Sequence, residues 1–210
     1  MQSVHPRDPF GVALGAIRRF ADQGRFEAGS PLVVTDLAAE VGLSATPMRE
    51  ALACLAGEGL IERRRGRGYF FPDLTAADLI DLFELQRSYV HAALHIHAPG
   101  SSLLQRAGAR VRPEDGIGGV CASVLDASGN RALAHAHDLV VRKLSPALQA
   151  EQRRGEPTAA VLADLLGLAA DGDVSRLSAL FDEVHIRRCA IAASLADDLQ
   201  VHRSKRERSE

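Results

Sequence analysis

The sequence has no Trp, and aromatic residues make up only 4% of its 210 positions. That scarcity excludes a stacking platform for single-stranded nucleic acid, which needs aromatic faces for successive bases. No apolar run reaches about 18 residues, so no membrane span or membrane partner is expected. Cysteine is sparse: Cys54, Cys121 and Cys189 are odd in number and far apart. Neither a disulfide framework nor a zinc-binding spacing can be built from them. Each is flanked by small or apolar residues, which predicts buried, reduced thiols and a cytoplasmic protein. The opening MQSVHPRDPF lacks the basic-then-apolar order of a secretory signal. A large net charge is missing too: the formal value is -2, which argues against a uniformly basic coat for nucleic acid.

What is present is globular in composition, with 46% apolar and 25% charged residues. The length suits two modest domains. Charge is unevenly distributed. Residues 1–72 hold nine basic residues against eight acidic ones, while the remainder holds 16 against 19. All nine are Arg, and four of them lie between Arg63 and Arg67. A local basic patch on a near-neutral chain fits a reader of duplex DNA.

The most informative stretch is Thr35 to Arg49, TDLAAEVGLSATPMR. Leu37, Ala38 and Val41 form one apolar stripe, and Met48, Leu52 and Leu55 form another, with a turn at Gly42 between them. Ser44 is placed to cap the second helix through its hydroxyl. The outline is a helix-turn-helix, whose second helix enters the major groove by its N-terminal residues. Those residues are Ser44, Thr46, Pro47, Arg49 and Glu50. Arg49 can bridge guanine O6 and N7 or grip a phosphate, and the alternative is an ion pair with Glu50 or Glu58.

Before this unit, residues 9–23 read as a helix with Val12, Leu14, Ile17 and Phe20 on one face, ended by Gly24. Residues 25–34 read as a loop. After it, Leu60–Arg63 and Gly68–Phe71 flank RRRGRG as a hairpin signal, which makes a wing. Arg65, Gly66 and Arg67 at its tip are assigned to the phosphate backbone or the minor groove, against a merely solvated charged turn. Thr75 opens a long helix with the capping-box-like TAAD, stopped near Pro99-Gly100. Residues 100–117 give no clear pattern. Helices are expected over 118–125, 130–152, 158–170 and 173–200, and the second part shows no strand signal. The fold class is therefore mainly α: a winged helix-turn-helix over residues 1–73, an all-helical bundle over 74–202, and a frayed charged tail over 203–210.

The pattern resembles the GntR family of bacterial transcription regulators over roughly residues 10–71. The resemblance runs through Gly24, Phe26, Gly29, Leu32 and the pair Leu37-Ala38. It continues in Gly42-Leu43-Ser44, Thr46-Pro47, Arg49-Glu50, Ala51-Leu52, Leu55 and Glu58-Gly59-Leu60-Ile61, and ends at GRGYFF. Where the family often has Arg, this chain has Ala45, which can touch only a thymine methyl. The helical part looks like the FCD domain of the FadR-like branch, by Leu82–Arg87, Ser128-Gly129-Asn130, Gly172-Asp173 and His185. Such proteins are homodimers on palindromic operators and respond to a small metabolite.

The resemblance implies an effector pocket around Arg87, Asn130 and His185, with Arg87 suited to a carboxylate and otherwise to a salt bridge with Glu84 or Asp81. It also implies a metal held by one Asp and three His. Here Ile117, Cys121 and a position near Leu162 replace three of those ligands and only His185 survives. No cofactor and no metal at the family site are therefore expected. His91 with His95 reads more simply as a polar helix face, and His135 and His137 with Asp138 stay open between that reading and a ligand group. The segment 97–117 is shorter than the family's. No nucleophile, base or metal cluster supports an enzyme. The expected function is a sequence-specific DNA-binding regulator, with repression the favoured sign. Its helical domain would dimerise and take a small-molecule effector; the alternative is a regulator that has lost effector and metal sensing and keeps the helical domain only as a dimeriser.

Overall fold

A computed structural model of the chain describes residues 8–97 and 100–206, without the side chains of residues 114 and 201–206. The end of the expected charged tail, residues 207–210, lies outside the described residues, but the last helix continues to Arg206, past the expected boundary at residue 202. The expected stop at Pro99 also lies outside them.

Helix α1 (Pro9–Asp22) is capped by Asp8, whose carboxylate accepts from the Phe10 amide at 3.1 Å. Its buried face is Ala13, Ala16, Ile17 and Ala21; of the residues expected there only Ile17 is fully buried, and Val12 is 36% exposed. Small side chains let α1 lie close on α3, while Leu14 and Phe20 wrap the margin half-buried. Strand β1 (Pro31–Leu32) follows, in a stretch expected to be loop. Two residues carry no periodicity, so only pairing reveals the strand: Leu32 sits opposite Tyr69.

Helices α2 (Val34–Val41) and α3 (Ala45–Gly57) are joined through Gly42, whose φ of 72° is the left-handed conformation that glycine adopts without steric cost. Met48, Leu52 and Leu55 are fully buried as the spacing predicts. Strands β2 (Glu62–Arg64) and β3 (Gly68–Phe70) make the wing hairpin, and the sheet order is β1-β3-β2. One core gathers α1, α2, α3 and the wing around Ile17, Leu52, Leu60 and Phe71.

The rest is helical: α4 (Ala76–Ile96), α5 (Ser102–Gly108), α6 (Gly116–Ala127), α7 (Arg131–Arg153), α8 (Ala159–Asp171) and α9 (Val174–Arg206). Thr75 and Asp78 form a reciprocal capping box, with Asp78 accepting from the Thr75 amide at 2.9 Å and Thr75 accepting from the Asp78 amide at 3.2 Å. Hydrogen bonds from the Thr75 hydroxyl and amide hold the Asp78 carboxyl below its usual range. The unclear stretch 100–117 contains α5, which fits against α8 because Gly108 leaves no Cβ; one there would come within 2.8 Å of Ala169 Cβ. Helices α4 and α9 run together through the bundle and supply both of its cores.

The two parts touch through α7 and α1. Arg142 Nε donates to Asp22 at 2.8 Å, and Gln149 Nε2 donates to the Gln23 carbonyl at 2.6 Å. Mainly helical, with an N-terminal winged helix and a helical C-terminal domain, the architecture agrees with the sequence reading.

Candidate nucleic-acid interface and helical-domain cavity

The first turn of α3 faces outward. Ser44, Thr46, Arg49 and Glu50 are exposed, while Ala45 and Pro47 are half-buried. Pro47 is tolerated because a first-turn residue has no helical carbonyl for its missing N–H. Ser44 occupies the N-cap with extended backbone, but its hydroxyl makes no capping bond, contrary to expectation. The first-turn amides of α3 therefore keep no side-chain acceptor, the condition in which a helix N-terminus receives a phosphate.

At the wing, the Arg67 amide closes the turn on the Arg64 carbonyl at 3.0 Å, with Gly66 left-handed at φ 73°. Arg63, Arg65, Gly66 and Arg67 are exposed. Arg64 differs: it pairs with Glu62 at 2.8 Å and its guanidinium lies 4.3 Å from the Phe70 ring centroid. Two further arginines of this domain are also tied, Arg18 to Glu58 at 2.7 Å and Arg25 to Glu40. Among the described residues, Arg49, Arg63, Arg65 and Arg67 enter no ion pair. Glu58, one of the partners considered for Arg49, is thus occupied by Arg18. Apart from Arg19 on α1, which is also exposed and enters no ion pair among the described residues, the unpaired arginines lie on α3 and the wing, and the paired ones brace the domain.

In the helical domain Arg87 and His185 come together, lining one cavity with Gln86, Cys121, Ile117 and Arg188. Its volume is about 20 Å³, room for about one water. Asn130 is not there. It caps α7, its side chain accepting from the Leu133 amide at 3.1 Å, and so is excluded from the pocket expected for it. A polar residue after Ser-Gly and before a helix is a capping signal, and the cap uses its only side-chain oxygen. Ile117 and Cys121 are buried where the resemblance implied metal ligands, and burial pushes the Cys121 thiol up to about 12. That lining does not fit the family's metal.

Arg87 is already satisfied. Its Nε donates to Asp182 at 2.6 Å, and it stands 3.8 Å from Glu84, one of the partners considered; Asp182, on α9, was not foreseen. Burial opposes ionisation of Asp182, but hydrogen bonds from Arg87 and His91 outweigh it and hold the carboxyl below its usual range. His91 bridges Asp182 at 2.8 Å and Ser178 at 3.2 Å, both on α9, and His95 bonds the His91 carbonyl, so both α4 histidines have hydrogen-bond partners within the protein. Beneath them Arg188 pairs with Glu151 through two bonds of 2.7 and 2.8 Å and with Gln86 at 2.7 Å, all buried. Sequence reasoning missed this lock; its members are 102 and 37 residues apart, and nothing local links them.

The family model for bacterial regulatory proteins of the gntR family matches residues 14–71. The Nta operon transcriptional regulator of Aminobacter aminovorans is 35% identical over 71 residues, 34% of this chain and 34% of that protein. The "Probable D-xylose utilization operon transcriptional repressor" of Paenarthrobacter nicotinovorans is 41% identical over 59 residues, 28% of this chain and 26% of that protein. The match thus spans about a third or less of the curated relatives. The solved structure of E. coli McbR/YncC superposes over 90% of this chain and 99% of its own, with a TM-score of 0.67 and 18% identity, a likeness of fold alone. With the residues of α2, α3 and the wing matched in order, the N-terminal winged helix of this chain belongs to the GntR family of bacterial regulatory proteins.

Proposed function

We propose that the chain is an operator-binding transcriptional regulator that acts as a homodimer. In this reading α3 lies in the major groove, with Arg49 on a base edge and Ser44, Thr46 and the first-turn amides on a phosphate. Pro47 and Ala45 offer apolar contact, and Arg65, Gly66 and Arg67 track the adjacent backbone or minor groove. The observation that carries the reading is that Arg49, Arg63, Arg65 and Arg67 on the α3 and wing surface are exposed and, among the described residues, enter no ion pair, whereas Arg18, Arg25 and Arg64 are each held by a carboxylate. Repression is the proposed sign, the word the xylose-operon relative carries.

Dimerisation is proposed through α4. Its outer stripe exposes Leu85 at 41% and Ile96 at 52%, with Ser88 and Ala92 between them. Apolar residues at that spacing on an exposed face favour burial against a second copy, and a two-fold dimer would match a palindromic operator.

The helical domain is proposed to serve as a dimeriser without effector sensing at the family site. Asp182 already supplies Arg87 with the carboxylate that an effector would bring, and about 20 Å³ cannot admit a metabolite. A larger groove of about 320 Å³ between α8 and α9 offers no free cation for an anion, because Arg187 is paired with Glu156 and Arg188 with Glu151.

The test is titration of the full chain onto duplexes from its own promoter region at low salt. A shifted complex that a palindrome competes for supports the proposal, and no shift on any fragment overturns it. Arg49→Ala should lose specific binding with its helical circular dichroism unchanged.

A further inference from the structure

We propose that Glu84, His185 and Cys189 form a binding site for a zinc-class divalent ion on the seam between α4 and α9. The site lies beside the cavity described above and shares only His185 with the family's ligand set. Among the described residues these three bring a carboxylate oxygen, an imidazole nitrogen and a sulfur within 4.8 Å of one another.

The geometry comes from helix spacing. His185 and Cys189 are four apart on α9 and so share a face. Glu84 reaches them from α4, with its Oε1 2.9 Å from His185 Nε2. The Cys189 Sγ lies 3.5 Å from the same nitrogen. Zinc bonds of about 2.0–2.3 Å in a tetrahedron place donor atoms roughly 3.3–3.8 Å apart, so the sulfur and nitrogen already stand at that separation. Glu84 must withdraw by about half an ångström, which a side chain 53% exposed does readily. Its exposure also leaves the fourth position open to water. His185 is only 11% exposed, so its ring is held by packing before any ion arrives.

The charges suit a dication. A carboxylate and a thiolate together carry two negative charges. Of the neighbouring cations, Arg188 is paired with Glu151 at 2.7 Å, and Arg87 is held chiefly by Asp182 at 2.6 Å and stands farther, 3.8 Å, from Glu84. Mixed sulfur, nitrogen and oxygen donors select zinc over magnesium and calcium, which take oxygen. Binding releases the thiol proton to solvent and forms metal–sulfur, metal–nitrogen and metal–oxygen bonds without redox change. Because α4 and α9 each contribute, the ion would cross-link the seam that also carries the proposed dimer helix.

Cobalt(II) is the probe, titrated into the reduced full chain with no DNA present, so the outcome is independent of operator binding. Wild type should take up a single ion with a thiolate-to-cobalt charge-transfer band that zinc abolishes. Cys189→Ser should lose that band, and Cys54→Ser and Cys121→Ala should keep it. Glu84→Gln, a change on an exposed side chain that keeps the test readable if Cys189→Ser fails to fold, should weaken cobalt by at least about tenfold, the least that losing even an outer-shell partner costs. No band in wild type, a band surviving Cys189→Ser, a band lost with Cys121→Ala, or unaltered affinity in Glu84→Gln each overturns the proposal.

Discussion

The wing assignment can be tested through salt. If Arg65 and Arg67 each neutralise one phosphate, a two-fold dimer places four such contacts on an operator. Each phosphate contact contributes about 0.9 to the slope of log affinity against log salt, so these four contribute about 3.6. Raising salt fourfold would then cost roughly 150-fold in affinity from the wing alone. Both side chains are exposed and unpaired among the described residues, so the double variant Arg65→Ala/Arg67→Ala should fold and melt as wild type does. Anisotropy titrations of a labelled operator over a range of potassium chloride should show its slope flattened by about 3.6, with specific and nonspecific duplexes weakened alike. Arg49→Ala should behave differently. It should cost about 1–3 kcal/mol per half-site, leave the slope nearly unchanged and narrow the gap between operator and random duplex. A wild-type slope in the wing variant would remove Arg65 and Arg67 from the backbone. A flattened slope with intact discrimination in Arg49→Ala would make Arg49 a phosphate contact and leave base reading unexplained.

Other expectations follow from the helical domain. Glu151→Ala strands the buried Arg188 guanidinium and should cost about 3–5 kcal/mol, a fall in melting temperature on the order of 10 °C; a loss under about 1 kcal/mol would mean the pair is solvated. His137 is 1% exposed, neither ring nitrogen has a partner among the described residues, and burial lowers it to about 4, so it stays neutral in the fold while the unfolded chain takes up a proton near the ordinary histidine range. Its contribution to stability is therefore complete above about pH 6.5 and lost as pH falls towards 4. His137→Leu should flatten that part of the melting-temperature profile, and an unchanged profile would refute the assignment. Small carboxylates should not raise the melting temperature, and stabilisation by any of them would restore effector sensing. Gly108→Ala should destabilise, because the new methyl meets the α8 backbone at 2.9 Å; an unchanged melting curve would show that α5 can retreat.

The DNA-reading half was legible because its signals are local and redundant. Gly42, the stripe Met48-Leu52-Leu55 and the glycines of the wing each specify a conformation within a few residues, and all agree. The misplacements there have the same root. At Ser44 the sequence showed a residue able to cap, but the hydroxyl points to no amide, and on α1 the apolar stripe was assigned by side-chain size when closeness of approach to α3 favoured alanine. The helical half was legible as helices and not as a site. Asn130 shows why: one residue satisfied two patterns, a pocket anchor by resemblance and a helix cap by physics, and the cap needs only three residues of chain to form whereas a pocket needs the whole bundle to agree. His185 was visible as a lone imaginable ligand, yet Cys189 sat four residues on, within helical reach of it. The missing partner was Glu84, 101 residues earlier, and no spacing rule spans that distance. What fills the space around the small cavity is likewise non-local: Asp182 holds Arg87, where the sequence offered only partners on the same helix, and Glu151 holds Arg188. Resemblance can thus carry a residue's position across a family while its availability depends on partners the chain brings from elsewhere, which is why we propose DNA contact for Arg65 and Arg67 and do not propose effector binding for Arg87.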